Sequence, residues 1–126
     1  MKLNVLRADP AGNITLFVLD PVEKEKRGEI AAQLMAIPEF KAEQVGYLCE
    51  PTGDADGHME MMGGEFCLNA TRAFASVLDS LGLLERDGDT ASGLVEVSGV
   101  NEKIAVRVMH GKGALPFSEA CLHFDE

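Results

Sequence analysis

One segment of this 126-residue chain has residue types at a spacing that could do chemistry: Met61-Met62-Gly63-Gly64-Glu65-Phe66-Cys67-Leu68-Asn69-Ala70-Thr71-Arg72. The order reads as strand, double glycine, cysteine, then the opening of an apolar helix. A cysteine at or just before the first turn of a helix meets backbone N–H groups with no partner inside the helix. Those donors and the positive end of the helix dipole favour a thiolate. The same donors can hold a substrate carboxylate. Asn69 adds a polar amide within one turn, and Gly63-Gly64 would let the incoming backbone approach a ligand closely. On these residues alone a plainer reading stands beside this one: a strand-to-helix turn with a packed thiol.

The elements around this segment must position it. Residues 66–82 are expected to form the central helix, with Ala70, Phe74, Val77, Leu78 and Leu81 recurring at three and four. Arg72 and Asp79 are its charged residues, and Gly82 suits a left-handed C-terminal position. Residues 2–7 and 14–19 read as a hairpin around Asp9-Pro10-Ala11-Gly12-Asn13. Asp20-Pro21-Val22-Glu23 reads as a helix start, with Asp20 as cap, Pro21 at the first position and an outer amphipathic helix running over 21–36. Residues 44–49 and 58–62 read as strands, as do 94–97 and 103–109, joined by Ser98-Gly99-Val100-Asn101. Residues 85–89 read as a solvated loop, and one short final strand is expected near the end.

Composition narrows the function. Apolar residues make up 46% of the chain and charged residues 25%, as in a globular domain. A single domain over 1–126 is expected. Eleven basic residues against 21 acidic ones give a net charge of −10. That field opposes binding to nucleic acid or an anionic membrane surface. The sequence has no apolar run long enough to span a membrane. Cys49, Cys67 and Cys121 are odd in number and widely spaced, so neither a zinc site nor a disulfide framework is expected, and a reducing cytoplasm is the simpler setting. The acidic loop 50–57 lacks the residue order of a calcium loop, and Gly111-Lys112-Gly113 lacks that of a phosphate loop.

The stretch Cys67-Leu68-Asn69-Ala70-Thr71-Arg72-Ala73-Phe74, preceded by Gly63-Gly64-Glu65, resembles the diaminopimelate epimerase superfamily. In that family the first-domain signature is a catalytic cysteine followed by Gly-Asn-Gly or Gly-Asn-Ala, then Thr or Ala, Arg and an aromatic. Asp9-Pro10-Ala11-Gly12-Asn13 resembles the family's N-terminal Gly-Asn substrate loop. Gln44-Val45-Gly46-Tyr47-Leu48 and Ser98-Gly99-Val100 fall in the family's order, so the likeness covers about residues 1–110.

The resemblance implies an α+β fold: a mixed, largely antiparallel sheet curled around a central helix, with one amphipathic helix outside, forming the N-terminal half of a two-domain protein. It implies racemisation or epimerisation of an amino acid by two acid/base groups, without pyridoxal phosphate, metal or other cofactor. Cys67 would be one of the two groups. The backbone of Leu68 and Asn69 would hold the carboxylate, and Gly12 and Asn13 would touch the substrate. The implied ligand is a small amino acid or carboxylate, and the implied partner is a second domain or a homodimer mate. Two departures matter. Leu68 stands where the family has glycine, and the second catalytic cysteine has no counterpart here, since Cys121 lacks the helix-start context. They leave open an alternative: a non-catalytic domain that binds a small carboxylate or another protein. A non-racemising isomerase of the same superfamily is a third reading.

Overall fold

The computed structural model describes residues 3–8 and 14–110, and residues 117–121 by backbone alone. Thr15-Leu16-Phe17-Val18 is apolar and β-branched, and all four residues are fully buried, so this strand (β2, Thr15–Val18) has a core on each face. Leu16 and Val18 point one way and join Val45 and Tyr47. Phe17 points the other way and joins Met59, Phe74 and Leu78. The period-two alternation of a strand therefore divides the molecule into an outer and an inner core.

Val5–Ala8 (β1) pairs antiparallel with β2. The chain then forms helix α1 (Lys24–Met35), which packs on β3 (Gln44–Cys49). β3 lies parallel to β2, a pairing that requires such a crossover. β4 (Gly57–Met61) returns antiparallel. Helix α2 (Leu68–Ser80) is the second crossover, leading through β5 (Glu85–Asp87) to β6 (Thr90–Val97), which lies parallel to β4. β7 (Ile104–Met109) and β8 (Phe117–Cys121) extend the sheet antiparallel. The order is β1-β2-β3-β4-β6-β7-β8, with β5 paired to β6.

The sheet curls around α2, which touches β2, β4, β7 and β8. Seven residues of α2 are buried, against Ala31 alone in α1. Phe74 of α2 stacks on Phe17, ring centroids 6.1 Å apart. Close approach is built into the strands. A Cβ on Gly57 would lie 2.8 Å from Leu78 Cδ1. The expected α+β fold, with a mixed curled sheet, a central helix and an outer helix, is the fold observed. No helix among the described residues is long and apolar enough to cross a membrane.

Several local expectations need correction. The central helix covers Leu68–Ser80, shorter than 66–82, because Cys67 is the N-cap and Leu81 the C-cap. Leu81 does not share the buried stripe, being an exposed cap residue. Gly82 is left-handed, φ +74°, as anticipated. Its N–H donates to Asp79 O and the Leu83 N–H to Leu78 O, the paired bonds of a Schellman motif. The outer helix begins at Lys24 with Glu23 as N-cap, so Asp20 does not cap it. Asp20 instead accepts both the backbone and side-chain N–H groups of Asn4, tying the chain beyond β2 back to the start of β1. Residues 85–89 are not a plain loop: Glu85–Asp87 pairs with Thr90–Ser92 around Gly88, which turns at φ +61°.

Candidate active site at the start of the central helix

The first turn of α2 is built on a backbone requirement. Met61 ends β4, and the Gly64 N–H donates to Met61 O in a tight turn with Gly64 at φ +76°. A β-carbon is strained at that angle, which accounts for one of the two glycines. Cys67 then takes extended torsions, φ −135° and ψ 114°, and its carbonyl accepts the Thr71 N–H at 3.0 Å. The Thr71 hydroxyl donates to the same carbonyl at 2.8 Å. The amides of Leu68, Asn69 and Ala70 have no carbonyl one turn back, and the Cys67 side chain makes no capping bond to them. They are three donors beside the sulfur, at the positive end of the helix.

The Cys67 thiol is half-buried against the inner core. It donates to Gln44 Oε1 at 3.4 Å, and Gln44 Nε2 donates to Thr15 Oγ1 at 2.7 Å. Thr15 is completely buried. Thr15 and Gln44 are register partners at the first positions of β2 and β3, on the inner face with Phe17 and Gly46. Three elements thus converge at the thiol: two strand starts and a helix start. The sequence signal for this chain was slight. Each polar residue opens an apolar strand, and only the parallel register brings the two side by side.

Leu68 is 42% exposed, so its side chain leaves the domain instead of filling the inner core. Asn69 lies in the same turn and is half-buried. Gly12 and Asn13 lie outside the described residues. The described part resumes at Ile14, immediately before Thr15. Cys121 belongs to β8, on the far edge of the sheet from β2 and β3.

Cys49 stands in a separate cluster on the outer face. Arg27 of α1 lies over the Tyr47 ring at 5.6 Å, and its Nη2 is 3.5 Å from Cys49 Sγ. The Tyr47 hydroxyl donates to the Arg27 carbonyl at 2.6 Å. Burial pushes the Cys49 thiol above its ordinary range, and the Arg27 charge partly opposes this. Burial likewise raises the Tyr47 phenol. A structural thiol is the consistent reading of Cys49. Two acids of loop 50–57 already have protein partners. Asp54 pairs with Lys103, and Asp56 accepts the Leu94 N–H. No group of three metal-ligating side chains occurs among the described residues.

Comparison with known proteins reaches the same segment. The model of the histidine racemase CntK N-terminal domain matches residues 2–117. A histidine racemase of Fusobacterium nucleatum subsp. nucleatum is 39% identical over 77 residues, 60% of this chain and 27% of the relative. A histidine racemase of Staphylococcus aureus is 39% identical over 80 residues, 61% of this chain and 29% of the relative. The matched part therefore spans less than a third of the length of these relatives.

Proposed function

Because the chain belongs to the family of histidine racemase CntK N-terminal domains, we propose that it forms one side of an amino-acid racemase or epimerase site with Cys67 as one of two acid/base groups. The observation that carries this reading is the half-buried Cys67 thiol at the N-cap of α2, beside first-turn amides without helical partners. As a thiolate, the sulfur takes the α-proton. An S–H bond forms, and the C–H electron pair stays on the α-carbon, delocalised into the carboxylate. The N–H groups of Leu68 and Asn69 stabilise the charge that develops there. The Asn69 side chain assists, and Gly12 and Asn13 contact the substrate's backbone groups. A second acid on the opposite face returns a proton to carbon, inverting it. One thiol cannot serve both faces, so the second group comes from a further domain or a second copy of this chain. Acid–base chemistry alone suffices, with no pyridoxal phosphate or metal. Histidine is the first substrate to test, since the curated relatives are histidine racemases.

The test is protection of Cys67 from a small alkylating agent, with L-histidine and then D-histidine added. Both enantiomers are expected to slow labelling of Cys67 and leave Cys49 unchanged. In heavy water, α-deuteration is expected to rise more than linearly with protein concentration if a second copy completes the site, and to vanish in Cys67→Ser. Exchange that survives in Cys67→Ser would end the proposal. The exposed side chain of Leu68 favours a second reading, a binding domain without catalysis. In that case histidine or another small carboxylate protects Cys67, and no deuteration occurs at any concentration.

A further inference from the structure

The connection that launches α2 carries little hardware of its own. Gly63 and Gly64 add no side chain, and the Glu65 carboxylate folds back onto the Gly63 N–H at 3.1 Å. Nothing lies within 4 Å of where a Cβ on Gly64 would stand. The attachments come from the turn between β6 and β7. Ser98 is 5% exposed. Its hydroxyl accepts the buried Met61 N–H at 2.8 Å and donates to the Glu65 carbonyl at 2.6 Å. Its own N–H donates to Met59 O at 3.0 Å. Gly99 follows at φ +80°, so close to the connection that a Cβ would stand 2.6 Å from Phe66 N.

Met61 is the last residue of β4, and Glu65 precedes Cys67 by two positions. One hydroxyl therefore bridges the two ends of the connection. We infer that Ser98, with Gly99 pressed against Phe66, is a positioning residue for the Cys67 thiol, fixing the start of α2 so that the sulfur meets Gln44. This inference gains its meaning from the reading of Cys67 as an acid/base group, but it makes a claim about placement alone.

The experiment labels the unliganded chain with iodoacetamide and compares the rates at Cys67 and Cys49 by peptide mapping. Ser98→Ala leaves the Met61 N–H and the Glu65 carbonyl without their partner. A buried group left so destabilises its local arrangement, and an increase of about fivefold in the Cys67-to-Cys49 rate ratio is expected. General loosening of the fold would raise both rates and leave the ratio where it was, which would overturn the inference. Ser98→Thr keeps the hydroxyl and is expected to restore the native ratio. An equal rise in Ser98→Thr would also overturn it. A further measurement needs no variant. The Met61 amide of the unmodified chain should exchange slowly with heavy water, and fast exchange would exclude the bridge. A changed ratio in Ser98→Ala, with no effect of histidine on Cys67, would remove histidine as the ligand of the site and leave the positioning role standing.

Discussion

Leu68 occupies the first helical position beside Cys67 and projects its side chain to solvent. Leu68→Gly is therefore expected to open the sulfur to larger reagents and to strengthen binding of a small carboxylate at the first-turn amides. Isothermal titration with histidine, together with labelling by a bulky maleimide, reads both effects. No gain in either would mean the leucine already points clear of the ligand's path. Gln44→Leu removes the acceptor of the thiol and the donor to Thr15, leaving the buried Thr15 hydroxyl short of a partner. A loss of stability of about 1–3 kcal/mol is expected in urea unfolding. On the outer face the relevant variable is pH. The Cys49 and Tyr47 acids are held protonated by burial in the fold, whereas the unfolded chain ionises at ordinary values. Above about pH 8.5 the unfolded state has lost protons that the folded state keeps, so stability falls as pH rises, first through the thiol and then through the phenol. Arg27→Met should steepen that fall, because the guanidinium lowers both groups. Cys49→Ala should delay its onset. Urea midpoints from pH 7 to pH 10 measure it.

Among the elements, α2 carries the largest share of the inner core, and its two ends depend on single residues. Gly82→Ala puts a side chain at φ +74° in the Schellman motif and is expected to cost about 1 kcal/mol. Phe74→Ala removes the ring stacked on Phe17 and is expected to cost about 3–5 kcal/mol by thermal or urea unfolding. A smaller loss at Phe74 would show that Phe17 and Met59 collapse into the space. The identity and order of these elements were largely legible in the sequence. The 3.6-residue period of Phe74, Val77 and Leu78 and the all-apolar run Leu16–Val18 are direct marks of burial. The helix start at Lys24 was not legible. Asp20-Pro21-Val22-Glu23 has every local mark of a cap, but Asp20 is drawn away by Asn4, sixteen residues earlier. β5 escapes the linear pattern for a similar reason: Glu85-Arg86-Asp87 is exposed throughout and gains strand character only from pairing with β6. At the site, Cys67, Leu68 and Asn69 stood out because their motif is contiguous. Gln44 and Thr15 join them from two other strands and Ser98 from the turn after β6, and a linear pattern contains no sign of that convergence.

At the scale of the whole molecule, a net charge of −10 on 126 residues makes the folded state repel itself. Added sodium chloride is expected to raise the thermal midpoint at neutral pH, with most of the gain complete by about 0.15 M, where the screening length is about 8 Å. A midpoint indifferent to salt would mean that local pairs such as Lys103–Asp54 and Arg86–Asp79 already neutralise the field. The two parallel junctions of the sheet have a different consequence. β2-α1-β3 and β4-α2-β6 are successive crossover units, joined to each other through the β3–β4 pairing. Gln44 and Thr15 belong to the first, whereas Cys67 and Ser98 belong to the second. The thiol environment therefore exists only after both units have formed and docked. In refolding from urea, pulses of alkylating agent should find Cys67 still open after Cys49, lodged within the first unit against Arg27, has become shielded. The order in which the two sulfurs disappear from reach then serves as a clock for assembly, with the chemistry of the site as its last event.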